Sequence, residues 1–150
     1  MDTATGTVAA LVWMTVLAGG CVPKVSMIIE TRTPQGAVIQ RGTVTNSDTA
    51  DHPFTIDAGG SIFVTAAADD SNGLASLYVT GGNSCGRAGQ SQQGLFTGTN
   101  PNLSGQHPTS SSFTATFPLQ CGGGTFTGSM MACASNAKQS QSCTPNATFK

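Results

Sequence analysis

The sequence has little charge: 9% of its 150 residues are charged, against about 25% in an ordinary soluble domain. Glutamate occurs once, at Glu30, and no run of lysine or arginine is present. Long exposed helices are rich in Glu, Lys, Arg and Leu, so this composition argues against them. Nucleic-acid binding relies on clustered cations that neutralise phosphates, so we expect no nucleic-acid partner.

The motifs of common active sites are missing as well. No G-x-S-x-G sequence marks a hydrolase nucleophile. His52 and His107 each precede a proline in a polar segment, and we interpret both as surface residues of loops. We therefore predict that the protein has no catalytic residues, is not an enzyme and uses no cofactor.

Metal-binding patterns are equally weak. Asp69, Asp70 and Asn72 offer oxygen ligands, but Ala68 stands where an EF-hand calcium loop requires an aspartate. We expect these side chains to cap a turn instead. No CxxC pair occurs, and the histidines are not spaced as zinc ligands relative to the cysteines. No metal site is predicted.

What the sequence does contain is Thr, Val, Phe and Ile in short runs separated by Gly, Ser and Asn, a pattern typical of strands joined by turns. Alternation places Ala75, Leu77 and Val79 on the more apolar face of one strand. Pro118 suggests that its strand lies at a sheet edge or is near its end. The predicted strands are 24–33, 37–45, 54–57, 61–67, 74–80, 112–119, 125–134 and 143–149.

The segment 81–111 is rich in Gly, Gln, Ser and Asn and predicts a long loop, with at most a weak strand at 94–97. Loops on a rigid sandwich are common binding sites. The part from Gly86 to Ser111 contains Arg87, Phe96 and His107, which are the candidate binding residues. The alternative is a variable linker without a partner.

The N-terminal stretch from Gly6 to Gly20 is apolar and ends in small residues. It has the length of a signal-peptide core and is shorter than the roughly 20 residues of a transmembrane helix. Cys21 follows at once. The sequence therefore predicts a signal peptide over residues 1–20.

The stretch Leu17-Ala18-Gly19-Gly20-Cys21 resembles the lipobox of bacterial lipoproteins. The resemblance implies that Cys21 carries a lipid, that residues 1–20 are removed, and that the protein is exported and anchored to the cell envelope. Val22 is not an aspartate, which in a Gram-negative member of that family implies the outer membrane. The membrane is thus the first expected partner.

The chain has five cysteines, an odd number for an exported protein. A lipid on Cys21 accounts for one of them. Export favours oxidation of the rest, and four cysteines allow three pairings. The four are Cys85, Cys121, Cys133 and Cys143.

The segment Ser61 to Val79 resembles the second and third strands of bacterial immunoglobulin-like domains, with matches that include Val64, Asp70 and Gly73. The segment Phe126 to Phe149 is similar to the hairpin that ends such domains. The resemblance implies one domain over 21–150, an all-β, immunoglobulin-like sandwich of about seven strands. That arrangement in turn implies the disulfides Cys85–Cys121 and Cys133–Cys143.

Together these features predict a lipid-anchored envelope protein with a structural or binding role, whose further partner is an envelope protein or a glycan. One alternative is a small exported enzyme or enzyme inhibitor that uses the 86–111 loop. Another is an accessory subunit of an envelope or phage-derived assembly.

Overall fold

The computed structural model describes residues 21–87, 90–103, 105–121 and 124–150; the predicted signal peptide lies outside them. A short 3₁₀ turn, Pro101–Leu103, precedes the seventh of the ten described strands. The strands are β1 (Lys24–Arg32), β2 (Val38–Thr45), β3 (His52–Phe54), β4 (Ser61–Asp69), β5 (Leu74–Arg87), β6 (Gln90–Thr99), β7 (Ser110–Pro118), β8 (Thr125–Asn136), β9 (Gln141–Cys143) and β10 (Ala147–Phe149).

The strands form two packed sheets, which confirms the prediction of an all-β sandwich. One sheet has the order β2-β1-β4-β7, and the other has the order β3-β10-β8-β5-β6 with β9 beside β8. Neighbouring strands are antiparallel except β3, which runs parallel to β10. The predicted strands omitted most of β6 and did not separate β9 from β10. Pro118 ends β7 at a sheet edge, as predicted.

The core follows from alternation along the strands. Every second residue of β1 and β4 is buried, and the residues between them face outward. Burying one such Val, Ile or Met side chain contributes about 1.5–3 kcal/mol relative to its exposure to water. The alternating residues therefore fix which face of each strand packs inward. The inward residues of these two strands are Val25, Met27, Ile29, Thr31, Ile62, Val64, Ala66 and Ala68.

β5 keeps the predicted inward face only in part. Leu77 and Val79 are buried as expected, but Ala75 is partly exposed and Leu74 is buried in its place. The pairing of β5 with β8 shifts register between Leu74 and Ser76. Such a bulge adds one residue to the strand, so the residues before it point to the opposite faces of the sheet from those expected. This accounts for the burial of Leu74 in place of Ala75.

The predicted loop over 81–111 is wrong for most of its length. β5 runs on to Arg87, and β6 pairs with it from Tyr78↔Thr99 to Arg87↔Gln90. On its other side β5 pairs with β8 as far as Gly86↔Thr125. These ladders supply backbone hydrogen bonds that offset the weak strand propensity of Gly, Ser and Gln. A prediction from the strand propensity of single residues therefore did not find this hairpin.

Candidate functional site

Four of the five cysteines are paired as the immunoglobulin-like resemblance implied. Cys85 on β5 pairs with Cys121, with a Cα–Cα distance of 5.5 Å. Cys133 on β8 pairs with Cys143 on β9, directly opposite in the strand register, with a Cα–Cα distance of 4.1 Å. All five cysteines lie among the described residues, and only Cys21 is free; it is exposed.

Cys21 lies three residues before β1 and is held there by Asn136, the last residue of β8. The Asn136 side-chain nitrogen donates to the Cys21 carbonyl oxygen at 3.0 Å. Its side-chain oxygen accepts from the backbone nitrogens of Lys138 at 3.1 Å and Ser140 at 2.9 Å. Asn136 is buried, so one side chain joins the segment that precedes β1 to the β8–β9 turn.

A second asparagine, Asn46, fixes the next part of the N-terminal segment. Its side-chain nitrogen donates to the Pro23 carbonyl oxygen at 3.0 Å and to the Ser142 hydroxyl at 2.8 Å. Its side-chain oxygen accepts from the Val25 backbone nitrogen at 3.2 Å. Residues 21–25, which end at the second residue of β1, are therefore attached to both sheets. Nothing in the sequence around Asn46 or Asn136 sets them apart from other polar turn residues.

The carboxylate of Asp70 completes this cluster. One oxygen accepts from the Asn72 backbone and side-chain nitrogens at 2.7 and 3.0 Å, and the other accepts from Asn136 at 3.0 Å. These bonds, led by the Asn72 backbone N–H, hold the pKa of Asp70 below its ordinary value of 3.8. Asp70 thus caps the β4–β5 turn together with Asn72, as the sequence predicted, whereas Asp69 is the exposed last residue of β4.

The β4–β5 turn packs against the segment that precedes β7. Gly73 has a φ of 79°, and an added Cβ there would collide with the His107 backbone. His107 itself has a φ of 44°, and its Nδ1 lies 3.3 Å from the Leu74 carbonyl oxygen. The Leu74 backbone nitrogen donates to the Pro108 carbonyl at 2.8 Å. His107 is exposed and belongs to this turn contact.

The three candidate binding residues do not form one site. Phe96 is 2% exposed and packs in the core, so its prediction as a surface binding residue was wrong. Alternation along β6 turns Phe96 inward and its neighbour Leu95 outward, where Leu95 is 79% exposed. Arg87 is the last residue of β5, whereas His107 belongs to the contact with Leu74.

A shallow groove of about 840 Å³ crosses the outer face of the four-stranded sheet. Its floor is a row of small side chains in register, in which Ser26 of β1 lies opposite Ala67 of β4, and Ala67 lies opposite Ser112 of β7. Lys24 and Asp69, also opposite each other, line the groove at the Cys21 end of the sheet. The sequence alone does not show that these small residues form one row, because the row depends on the strand register.

Within the described ranges, no group of three or more His, Cys, Asp and Glu side chains is arranged to hold a metal ion. The same part of the chain has no helix with the length and apolar character needed to cross a membrane. Comparison with protein-family models, curated proteins and solved structures finds no match for this chain.

Proposed function

We propose that the protein is exported, carries a lipid on Cys21, and serves a structural or binding role at the cell envelope. The observation that carries the proposal is the isolation of Cys21: it is exposed and free while the other four cysteines are paired. It also directly follows Leu17-Ala18-Gly19-Gly20, the lipobox-like stretch. Disulfides form and persist mainly in oxidising compartments, so the two pairs support export.

The strand order supports an immunoglobulin-like sandwich for the anchored domain. In that fold, the first, second and fifth strands share one sheet, and the third, sixth and seventh share the other. In this chain, β1, β4 and β7 correspond to the first set and share one sheet. β5, β8 and β10 correspond to the second set and share the other sheet. Such sandwiches serve mainly as rigid carriers of binding loops or as spacers, so the proposed role is structural or binding and not catalytic.

Intact mass tests the anchor. The protein is purified from its own membranes without reductant, beside the Cys21→Ser variant. We expect the mass of residues 21–150 plus acyl chains, less the hydrogens lost in two disulfides. The variant should keep residues 1–20 and gain no acyl mass. An unlipidated parent that retains residues 1–20 would refute the proposal. In a Gram-negative host, fractionation should place the parent in the outer membrane.

One alternative, an accessory subunit of an envelope assembly, is favoured by the edge strand β6. β6 ends the order of its sheet, and its ten residues, Gln90–Thr99, include no charged residue and no proline. Natural edge strands usually carry such residues to prevent pairing with another chain. Thr97 is exposed, so Thr97→Lys should shift the native size of the membrane-extracted complex downward if β6 pairs with a partner strand. An unchanged size would dismiss this alternative.

The other alternative places an enzymatic or inhibitory site in a loop over 86–111. Its premise of one continuous loop fails over residues 90–99, because they form β6 and that strand contributes Phe96 to the core. No contact among the described residues favours it.

A further inference from the structure

We infer that the domain lies directly against the bilayer surface in one orientation, with its Cys21 end toward the lipid headgroups. That end comprises the β4–β5 turn (70–73), the segment 105–109 and the β8–β9 turn (137–140). The inference rests on the proposed lipid anchor and adds a partner surface to it. The partner is the headgroup layer of the membrane that holds the acyl chains.

The tether between Cys21 and the first strand is short. Two residues, Val22 and Pro23, separate Cys21 from β1, so the chain between them spans about 10 Å at most. Even this short segment is fixed, because Asn136 binds the Cys21 carbonyl and Asn46 binds the Pro23 carbonyl. Pro23 is buried as well. A lipid on the Cys21 side chain is therefore attached to the folded domain itself, without a flexible linker.

Cys21 lies at one end of the sandwich. Lys24 begins β1 opposite Asp69, where β4 ends, so the β4–β5 turn lies at the Cys21 end. β5 begins at Leu74 opposite Asn136, which brings the β8–β9 turn to the same end. β1 runs from there for nine residues, so its far end is about 26 Å away at roughly 3.3 Å per residue. Gln35, in the β1–β2 turn, lies at that far end.

The surface at the Cys21 end combines charged, polar and apolar side chains. Cys21, Lys24, Asp69 and Ser71 line one open cavity of about 460 Å³. Lys24 and Asp69 are both exposed, so this surface carries charges of both signs. Val22 is 54% exposed beside the anchor. Mixed charges, hydroxyls and one apolar side chain suit contact with headgroups, while the acyl chains alone enter the hydrocarbon.

Fluorescence of single tryptophans measures the orientation. The only tryptophan is Trp13, which the proposed cleavage removes, so an introduced tryptophan is the sole one in the mature protein. Ser71→Trp places the probe at the Cys21 end, and Gln35→Trp places a matched probe at the far end; both positions are exposed. The lipidated variants are reconstituted into phosphatidylcholine vesicles with or without bromine on the acyl chains near the headgroups.

We expect bromolipid to quench Ser71→Trp several-fold more than Gln35→Trp. Equal quenching, or stronger quenching of Gln35→Trp, overturns the orientation. Intact mass of the same samples separates the two proposals: acylated protein with equal quenching refutes only the orientation, whereas protein without acyl mass refutes the anchor and the orientation with it.

A linker insertion tests the role of the short tether. About twenty Gly and Ser residues inserted between Cys21 and Val22 of the Ser71→Trp variant span roughly 25 Å as a flexible chain. The acyl chains remain, but the hydrogen bond from Asn136 no longer holds the lipidated residue. Quenching should fall to the level of Gln35→Trp. Quenching equal to that of the uninterrupted Ser71→Trp variant would refute the direct attachment.

Discussion

The side chain of Asn136 donates a hydrogen bond to the main-chain carbonyl of Cys21 at 3.0 Å, which ties the segment before β1 to the end of β8. The same nitrogen donates to a carboxylate oxygen of Asp70, also at 3.0 Å. Three distant parts of the chain therefore meet at one buried amide.

Asn136→Ala should lower the free energy of unfolding by about 2–3 kcal/mol, because it leaves buried hydrogen-bonding groups of Asp70 and the β8–β9 turn without this partner. Urea unfolding of residues 21–150 with both disulfides intact, followed by circular dichroism, measures the change. The exposed Asn102 supplies the matched control, since Asn102→Ala should change stability by less than about 0.5 kcal/mol. Equal losses in both variants would contradict the role of Asn136.

Phe96 and Leu95 are adjacent residues with opposite surroundings. Substituting each in turn compares the effect of a core side chain on stability with that of a surface side chain. The Phe96 ring lies 5.2 Å from that of Phe117 and 5.9 Å from that of Phe149, centroid to centroid. Phe96→Ala should cost about 3–5 kcal/mol of stability by creating a core cavity. Leu95→Ala should cost less than about 0.5 kcal/mol. Thermal and urea unfolding test both values, and a stable Phe96→Ala protein would overturn the core assignment.

The two disulfides close loops of different length, with sequence separations of 36 for Cys85–Cys121 and 10 for Cys133–Cys143. In the chain-entropy account, the longer loop contributes about 4 kcal/mol and the shorter about 3 kcal/mol. Replacing both cysteines of a pair with alanine should therefore destabilise the protein more for the Cys85–Cys121 pair. Denaturant midpoints of the two double variants test this order. The reverse order would show that strand pairing around Cys133 outweighs loop entropy.

The lowered pKa of Asp70 predicts acid sensitivity. In the folded protein, bonds from the Asn72 backbone and from Asn136 hold this pKa below 3.8, so the folded state binds fewer protons than the unfolded state in that range. The resulting stability is present above pH 3.8 and is lost as the pH falls through the lower folded value.

Asp70→Asn should remove this part of the pH dependence. The free energy of unfolding is measured from pH 6 to pH 2 for the parent, for Asp70→Asn and for Asp69→Asn, in which an exposed neighbour is changed. We expect a shallower acid slope in Asp70→Asn only. Asp48, whose pKa is also lowered, chiefly by the Thr45 backbone N–H, contributes equally to all three proteins. A slope in Asp70→Asn as steep as that of the parent would contradict the prediction.

Much of the sandwich was predictable because strands buried on one face alternate. Leu77 and Val79 are inward for this reason, and the apolar face of 112–119 also packs against the core through Phe113 and Phe117. The disulfide pairing followed from a resemblance and from the strand ends that it brings together. Local patterns of this kind are visible in a single sequence.

The elements that were missed depend on distant partners. β6 was predicted as loop because Gly, Ser and Gln have weak strand propensity, and only its ladder with β5 makes the strand stable. Asn136 was not singled out, since its partners Cys21 and Asp70 are distant in sequence. The candidate site thus arises from tertiary contacts that no local pattern encodes.

The hydrogen bond between Asn136 and Cys21 joins residues that are 115 positions apart in the sequence. This separation affects the order in which contacts form during folding. Closing a loop of this length costs chain entropy, so we expect the bond to form after the intervening strands have paired. As long as β8 has not joined the sheet, this bond cannot form and the Cys21 carbonyl lacks its Asn136 partner. For the lipidation proposed above, an enzyme that binds the chain around Cys21 in an extended form would therefore act before Asn136 fixes the Cys21 carbonyl, while the Cys21 side chain stays exposed in the finished fold.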